Sequence, residues 1–167
     1  MATAELVTLE RYLHTSFEHD AEFVEGRIVE RPGTSFEHSS MQGFLLEELR
    51  TAHELGWRTM IELRVQTRPD RIRVPDVCIV TGPPDPESNG IITRPPHLCV
   101  EILAPEDTAV EMLEKIREYM GFGVEWVWLI YPASLTRQVH SRNAGANIED
   151  RIFSTDRFNI DLSGAEI

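Results

Sequence analysis

The chain has little cysteine, almost no lysine and no long apolar run. Two cysteines in 167 residues, Cys78 and Cys99, exclude a multi-bridge secreted scaffold and a four-cysteine zinc site. Both stand in apolar runs, VPDVCIV and HLCVEIL, where a buried, reduced thiol is expected. No stretch approaches the roughly 20 apolar residues of a membrane span. The opening residues carry Glu5 and Glu10 where a signal peptide would have a basic and then an apolar start. These absences predict a soluble, cytoplasmic protein without a membrane partner. The six histidines show no i, i+4 pairing on one helix, which argues against a zinc site. A nucleophile elbow and a phosphate-binding glycine loop are also missing. Positive charge is scarce too: the net charge of -12 cuts against a broad basic face for nucleic acid. A local basic groove stays open, because Arg64, Arg68, Arg71 and Arg73 cluster in the sequence.

What is present fits one ordinary globular domain over residues 1–167, with 41% hydrophobic and 26% charged residues. Of the 16 basic residues, all but one are arginine, and the exception is Lys115. A compositional bias explains wholesale replacement of lysine by arginine. It also singles out the position where lysine persists, since a compact ammonium and a planar guanidinium are not interchangeable.

The pattern along the chain predicts a short amphipathic helix in TLERYLHTSF, with Thr8 as its N-cap. Two strands follow about a turn at Gly26, in AEFVEGRIVER. Ser35 is placed to cap a long helix from about Phe36 to Leu55, with Met41, Phe44, Leu45, Leu49 and Ala52 on its apolar face and Gly56 as the stop. Period-two alternation then marks TMIELRVQT and, past Pro69-Asp70, IRVPDVCIV. GPPDPESNG is a loop, and LCVEIL is a compact strand. Asp107 or Thr108 caps a helix running to about Met120, and VEWVWLIYP is the most apolar strand. QVHSR, DRIFS and FNIDL in the tail read as further short strands. The expected class is α/β with a mixed sheet: helix, three-strand antiparallel meander, helix, then a parallel strand reached by crossover, preceded by a small helix and hairpin.

Three residues stand out against this layout. Asp76 falls inside IRVPDVCIV and Glu101 inside LCVEIL, and a carboxylate within an apolar strand is costly unless it is paired or binds a cation. If the two strands run antiparallel with Asp76 opposite Glu101, then Cys78 lies opposite Cys99 on the same face. Hard oxygen ligands on neighbouring strands suit Mg²⁺, with Mn²⁺ as the alternative. Such an ion polarises a phosphoryl oxygen and acidifies a bound water, and the ammonium of Lys115, on the next helix, can orient that water or offset charge on phosphate. Asp, Glu and Lys together describe metal-assisted phosphodiester hydrolysis better than acyl transfer.

Pro75-Asp76 followed by Glu101-Ile102-Leu103, on consecutive core strands, resembles the PD-(D/E)XK nuclease superfamily. More narrowly, EFVEGRI, His38 at the start of the long helix, VPDVCIV, VEILAPEDT and EKIREYMGFGVEWVWLIYP resemble, in order, the bacterial Uma-two type of restriction-endonuclease-like proteins. The superfamily's lysine two residues after the glutamate is here Leu103. The narrower family places it on the following helix as K-x-x-x-Y, which Lys115 and Tyr119 match. The resemblance implies a restriction-endonuclease-like core and a Mg²⁺-dependent DNA endonuclease. In it Asp76 and Glu101 hold the metal and Lys115 completes the catalytic set, with Glu22, His38 and Tyr119 as auxiliary residues. Glu22 also reads as a hairpin charge and His38 as a helix-start residue. Double-strand cleavage by one site per chain favours a homodimer. The competing expectation is a catalytically weak or inactive nuclease-fold protein serving as a nucleic-acid-binding or interaction subunit.

Overall fold

The computed structural model describes residues 6–18, 20–31, 33–83, 90–142, 145–149, 152–155 and 157–165. Most of the predicted loop GPPDPESNG, His19, and Asp150 and Arg151 of the DRIFS segment lie outside the described residues. Thr8 caps α1 (Leu9–Leu13) by accepting a hydrogen bond from the Arg11 amide at 3.1 Å. Next come β1 (Ala21–Val24) and β2 (Arg27–Glu30), an antiparallel hairpin. Its two-residue turn, Glu25 and Gly26, has positive φ at both positions (51° and 81°), the geometry that matches strand twist in tight hairpins.

Ser35 caps α2 (Phe36–Glu48) as expected, and the helix tightens into a 3₁₀ segment (Leu49–Leu55) before Gly56 stops it at φ 72°. The long predicted helix is therefore helical throughout but not α-helical to its end. Thr108, and not Asp107, caps α3 (Ala109–Phe122), in a capping box with Glu111. Asp107 instead accepts from the Ala104 amide at 2.7 Å, bracing the turn before the helix.

The clearest departure from the sequence expectation is that two predicted strands each break in two. TMIELRVQT divides into β3 (Trp57–Ile61) and β4 (Val65–Arg68), and IRVPDVCIV divides into β5 (Arg71–Arg73) and β6 (Val77–Thr81). The breaks have local causes. Glu62 adopts a left-handed φ of 49°, and Pro75 has no amide to donate to a ladder. The halves join different sheets. β4 and β5 extend the N-terminal hairpin into a four-stranded sheet of order β2-β1-β5-β4, while β3 and β6 enter the main sheet. Asp76 consequently sits in the bend just before β6 and not inside a strand.

The main sheet continues through β7 (Leu98–Ile102) and β8 (Trp126–Tyr131), then β9 (Thr136–Ser141) and β10 (Gly145–Glu149), in the order β10-β9-β8-β7-β6-β3. β11 (Ile152–Ser154) and β12 (Asn159–Asp161) form a small hairpin. The expected core survives inside this arrangement. β3, β6 and β7 pair antiparallel, and β8 joins β7 in parallel after α3. Period-two alternation sorts the main sheet's residues between two helices. Val77, Ile79, Leu98, Val100, Ile102, Trp128 and Ile130 pack with Met41, Leu45, Leu49 and Ala52 of α2. Cys78, Val80, Cys99, Val127 and Leu129 pack with Met112, Ile116 and Tyr119 of α3. A third cluster, Tyr12, Ala21, Phe23, Ile72 and Ile91, seats α1 on the smaller sheet.

Cys78 pairs with Cys99 across β6 and β7, as the sequence register requires. Both thiols are free and buried, and burial pushes the Cys78 thiol up to about 12 and the Cys99 thiol upward as well. Neither should react with a thiol-directed chromogenic disulfide in the native protein, and both should react in denaturant. Rapid labelling of the folded chain would contradict this packing.

Candidate active site

Carrying the β6–β7 register one residue past Val77↔Val100 sets Asp76 opposite Glu101, and both carboxylates line one cavity of about 300 Å³ between the two sheets and α3. Glu22, Arg31, His38, Arg73 and Lys115 line it as well. The structure thus brings together all three principal residues expected from the sequence, together with Glu22 and His38. Tyr119 reaches the cluster from beneath, where its hydroxyl donates to Glu101 Oε1 at 2.6 Å.

Of the two outcomes the sequence left open, a partner or a bound cation, the structure shows a partner: each carboxylate has its own cationic side chain. Asp76 Oδ1 is gripped by the guanidinium of Arg31 and lies 3.2 Å from His38 Nε2, while Oδ2 accepts from the Ile102 amide at 2.6 Å. Gln42 of α2 donates to the Asp76 carbonyl at 2.9 Å, tying the bend to the helix. Lys115 Nζ stands 3.0 Å from Glu101 Oε2 and 3.2 Å from Glu22 Oε1. Glu22 is held in turn by Arg73 Nη1 at 2.6 Å and the Val74 amide at 3.2 Å. Glu22, Asp76 and Glu101 are 3%, 1% and 3% exposed, so this charge balance is what makes their burial tolerable.

The partners separate the carboxylates electrostatically. Burial pushes all three upward. For Asp76 the His38 hydrogen bond and the charge of Arg31 more than offset this, and for Glu22 the charges of Lys115 and Arg73 do so. Both end below the usual carboxylate range. Glu101 ends above it, because burial, together with the neighbouring charges of Asp76 and Glu22, outweighs Lys115. Burial alone would lower the Lys115 ammonium, but Glu101 and Glu22 raise it. Lys115 is therefore cationic at neutral pH.

Arg31 and Gln42 are neighbours of the site that the sequence reading did not single out, and Arg73 was named there only within the arginine cluster. Arg73 carried the same signal as Asp76, a charge inside an apolar run. Arg31 carried none, because its position follows from the junction of the two sheets. The arginine cluster that left a local basic groove open is taken up in ion pairs. Arg64 pairs with Asp20 at 2.8 Å, and Arg68 pairs with Glu25 and Asp70, each at 3.2 Å. Arg71 pairs with Glu25 at 2.6 Å, Glu114 at 3.0 Å and also Glu118; Arg73 pairs with Glu118 at 2.6 Å. Because β5 runs beside α3, its arginines meet Glu114 and Glu118, one turn apart on that helix.

The donor set, two buried carboxylates opening into one cavity, fits a hard divalent cation in chemical type. Among the described residues, no three His, Cys, Asp or Glu side chains are grouped so as to hold a metal ion. Water or phosphate oxygens would have to complete the coordination.

The mixed α/β core thus brings acidic residues together where antiparallel strands end, with a lysine entering from the following helix. The chain belongs to the Uma2 family, whose model, described as "Putative restriction endonuclease", matches residues 6–163. The solved structure of a nuclease of the DUF820 group from Anabaena variabilis ATCC 29413, titled there "putative", superposes with a TM-score of 0.80. It is 23% identical and covers 94% of this chain and 96% of that one. At that identity the likeness establishes the fold. The comparison with curated proteins finds no match. The family description supports a nuclease function. No helix among the described residues is long and apolar enough to cross a membrane.

Proposed function

We propose that this protein is a cytoplasmic endonuclease that hydrolyses DNA phosphodiester bonds, with Asp76 and Glu101 as ligands for Mg²⁺ or Mn²⁺ and Lys115 assisting the attacking water. The observation that carries this reading is the convergence of those three side chains on one cavity, in a chain whose family membership supports a nuclease. When bound, the ion supplies positive charge to a phosphate oxygen and acidifies a water. The protein's own part is positioning and electrostatics. Lys115, an ammonium between Glu101 and Glu22, donates hydrogen bonds to both. It orients the water or steadies charge on the phosphate. Glu22, anchored by Arg73 and the Val74 amide, is a positioning residue for Lys115. Tyr119 fixes the Glu101 carboxylate, and burial, reinforced by the charge of Glu101, keeps its hydroxyl protonated. His38 does the same for Asp76.

The mouth of the cavity is acidic, with Glu30, Glu106, Asp107, Glu111 and Glu114 among its lining residues. The protein alone therefore offers a polyanion little attraction, which agrees with its -12 net charge. Two cuts by one site per chain call for two copies on a duplex, so a homodimer is part of the proposal.

Plasmid nicking tests it. Nicking should require Mg²⁺ or Mn²⁺, stop with chelator, and fall to background in Asp76→Ala. Absent nicking by a folded protein, with DNA still bound, would instead favour a nuclease-fold binding subunit, and metal-independent nicking would overturn the role of Asp76 and Glu101 as metal ligands.

A further inference from the structure

We propose that Arg31 is a displaceable counter-ion: it and a divalent cation compete for Asp76 Oδ1, and when the cation wins, the guanidinium moves to Glu62. The inference rests on the reading of Asp76 as a cation ligand and adds a residue that governs access to it.

Three observations point to Arg31. First, its guanidinium donates to Asp76 Oδ1, the oxygen that also lies 3.2 Å from His38, while Oδ2 is occupied by the Ile102 amide. Arg31 and His38 take both lone-pair positions of that oxygen, so a divalent cation needs one of them to leave, and the guanidinium is the one it repels. Second, an alternative partner is at hand. Arg31 Nη1 lies 3.9 Å from Glu62 Oε1, and the Glu62 side chain is 40% exposed where that of Asp76 is 2% exposed. Glu62 is held beside Asp76 by its own backbone, whose amide donates to the Asp76 carbonyl at 3.3 Å. A small rotation about the arginine stem exchanges a buried carboxylate for a solvated one.

Third, Arg31 is the site cation best placed to move. It follows β2, the outer strand of the smaller sheet. Lys115 lies within α3 between two carboxylates, and Arg73 is bonded to both Glu22 and Glu118. Displacing either would strand buried charges; displacing Arg31 strands none, because Asp76 gains the cation and Arg31 gains Glu62.

Calorimetric titration with Mn²⁺, without DNA, tests the idea on the full chain. If Arg31 blocks Asp76 in nine of ten molecules, its removal raises the competent fraction and tightens apparent binding about tenfold. Arg31→Gln should show that gain, and Arg31→Lys, with a shorter reach and no fork, should fall between it and the wild type. Should Arg31→Gln fail to fold, Arg31→Lys alone decides. Glu62→Gln, which removes the receiving carboxylate from the surface, should weaken Mn²⁺ binding. Equal or weaker affinity in the Arg31 variants, while Glu101→Gln still abolishes binding, overturns the role of Arg31 and leaves the cation site standing. No binding sensitive to Asp76→Asn or Glu101→Gln in any variant overturns the site reading and this inference with it.

Discussion

Lys115→Arg is expected to reduce DNA cleavage by about 10²–10³-fold, the loss typical of removing one preorganised electrostatic donor. The protein should remain folded and should still bind Mn²⁺. The chain uses arginine for every other basic residue, so a tolerance for arginine cannot explain this one position. Geometry can. Nζ sits between Glu101 Oε2 and Glu22 Oε1 at 3.0 and 3.2 Å, with its third hydrogen available to the cavity. A guanidinium would satisfy both carboxylates with its planar fork and leave no compact donor directed at a water or a phosphate oxygen. Single-turnover cleavage at saturating metal isolates this effect. Wild-type rates in Lys115→Arg would reduce the lone lysine to an accident of composition.

Asp76→Asn and Glu101→Gln should both abolish cleavage yet move stability in opposite directions. Asp76 is stabilised as a carboxylate by His38, Arg31 and the Ile102 amide. Neutralising it turns Arg31 to Glu62 and leaves His38 and the buried Ile102 amide with a weaker acceptor, a loss of about 1–3 kcal/mol, or a fall in Tm of several degrees for a chain of this size. Burial and two neighbouring carboxylates raise Glu101 above the usual carboxylate range, so its charge is penalised in the fold. Glutamine relieves that penalty while its carbonyl still accepts from Tyr119, and Lys115 keeps Glu22. Glu101→Gln should therefore melt a few degrees above the wild type at neutral pH.

The pH dependence separates the two further. A lowered carboxylate contributes stability above its unfolded-state value and loses it as pH falls through the folded-state value, which is the case for Asp76 and Glu22. A raised one behaves inversely, so the advantage of Glu101→Gln should shrink on acidification as Glu101 itself takes up a proton. Thermal melts from pH 8 to pH 4 would show the two trends. A destabilised Glu101→Gln would mean that its ion pair with Lys115 outweighs the burial penalty.

Much of this site was legible before any coordinates. The carboxylates within VPDVCIV and LCVEIL violate the apolar pattern around them, and a violation of that kind is visible in one dimension. The spacing Asp76–Cys78 and Cys99–Glu101 carried the register, because side chains alternate with period two and a slip of one residue would turn an apolar face to water. Caps at Thr8 and Ser35 and the stop at Gly56 are local chemistry, settled within a few residues. The family's K-x-x-x-Y pattern placed Lys115 and Tyr119 one turn apart, and both reach Glu101.

Tertiary structure decided what depends on partners distant in the chain. Nothing local says that TMIELRVQT and IRVPDVCIV split between two sheets, since each half alternates properly, and only pairing with β1 shows where β5 belongs. Nor does spacing reveal that Arg31, 45 residues before Asp76, is its counter-ion, or that α3 turns Glu114 and Glu118 toward the arginines of β5. Hydrophobic periodicity reports which side of an element is buried, whereas ion pairs depend on which elements meet. The sequence by itself therefore singled out the acidic pair and the lysine and offered the register that the strand pairing then showed. The fold alone decided that each buried carboxylate comes with a cation, because a charge that enters the interior must find its partner there.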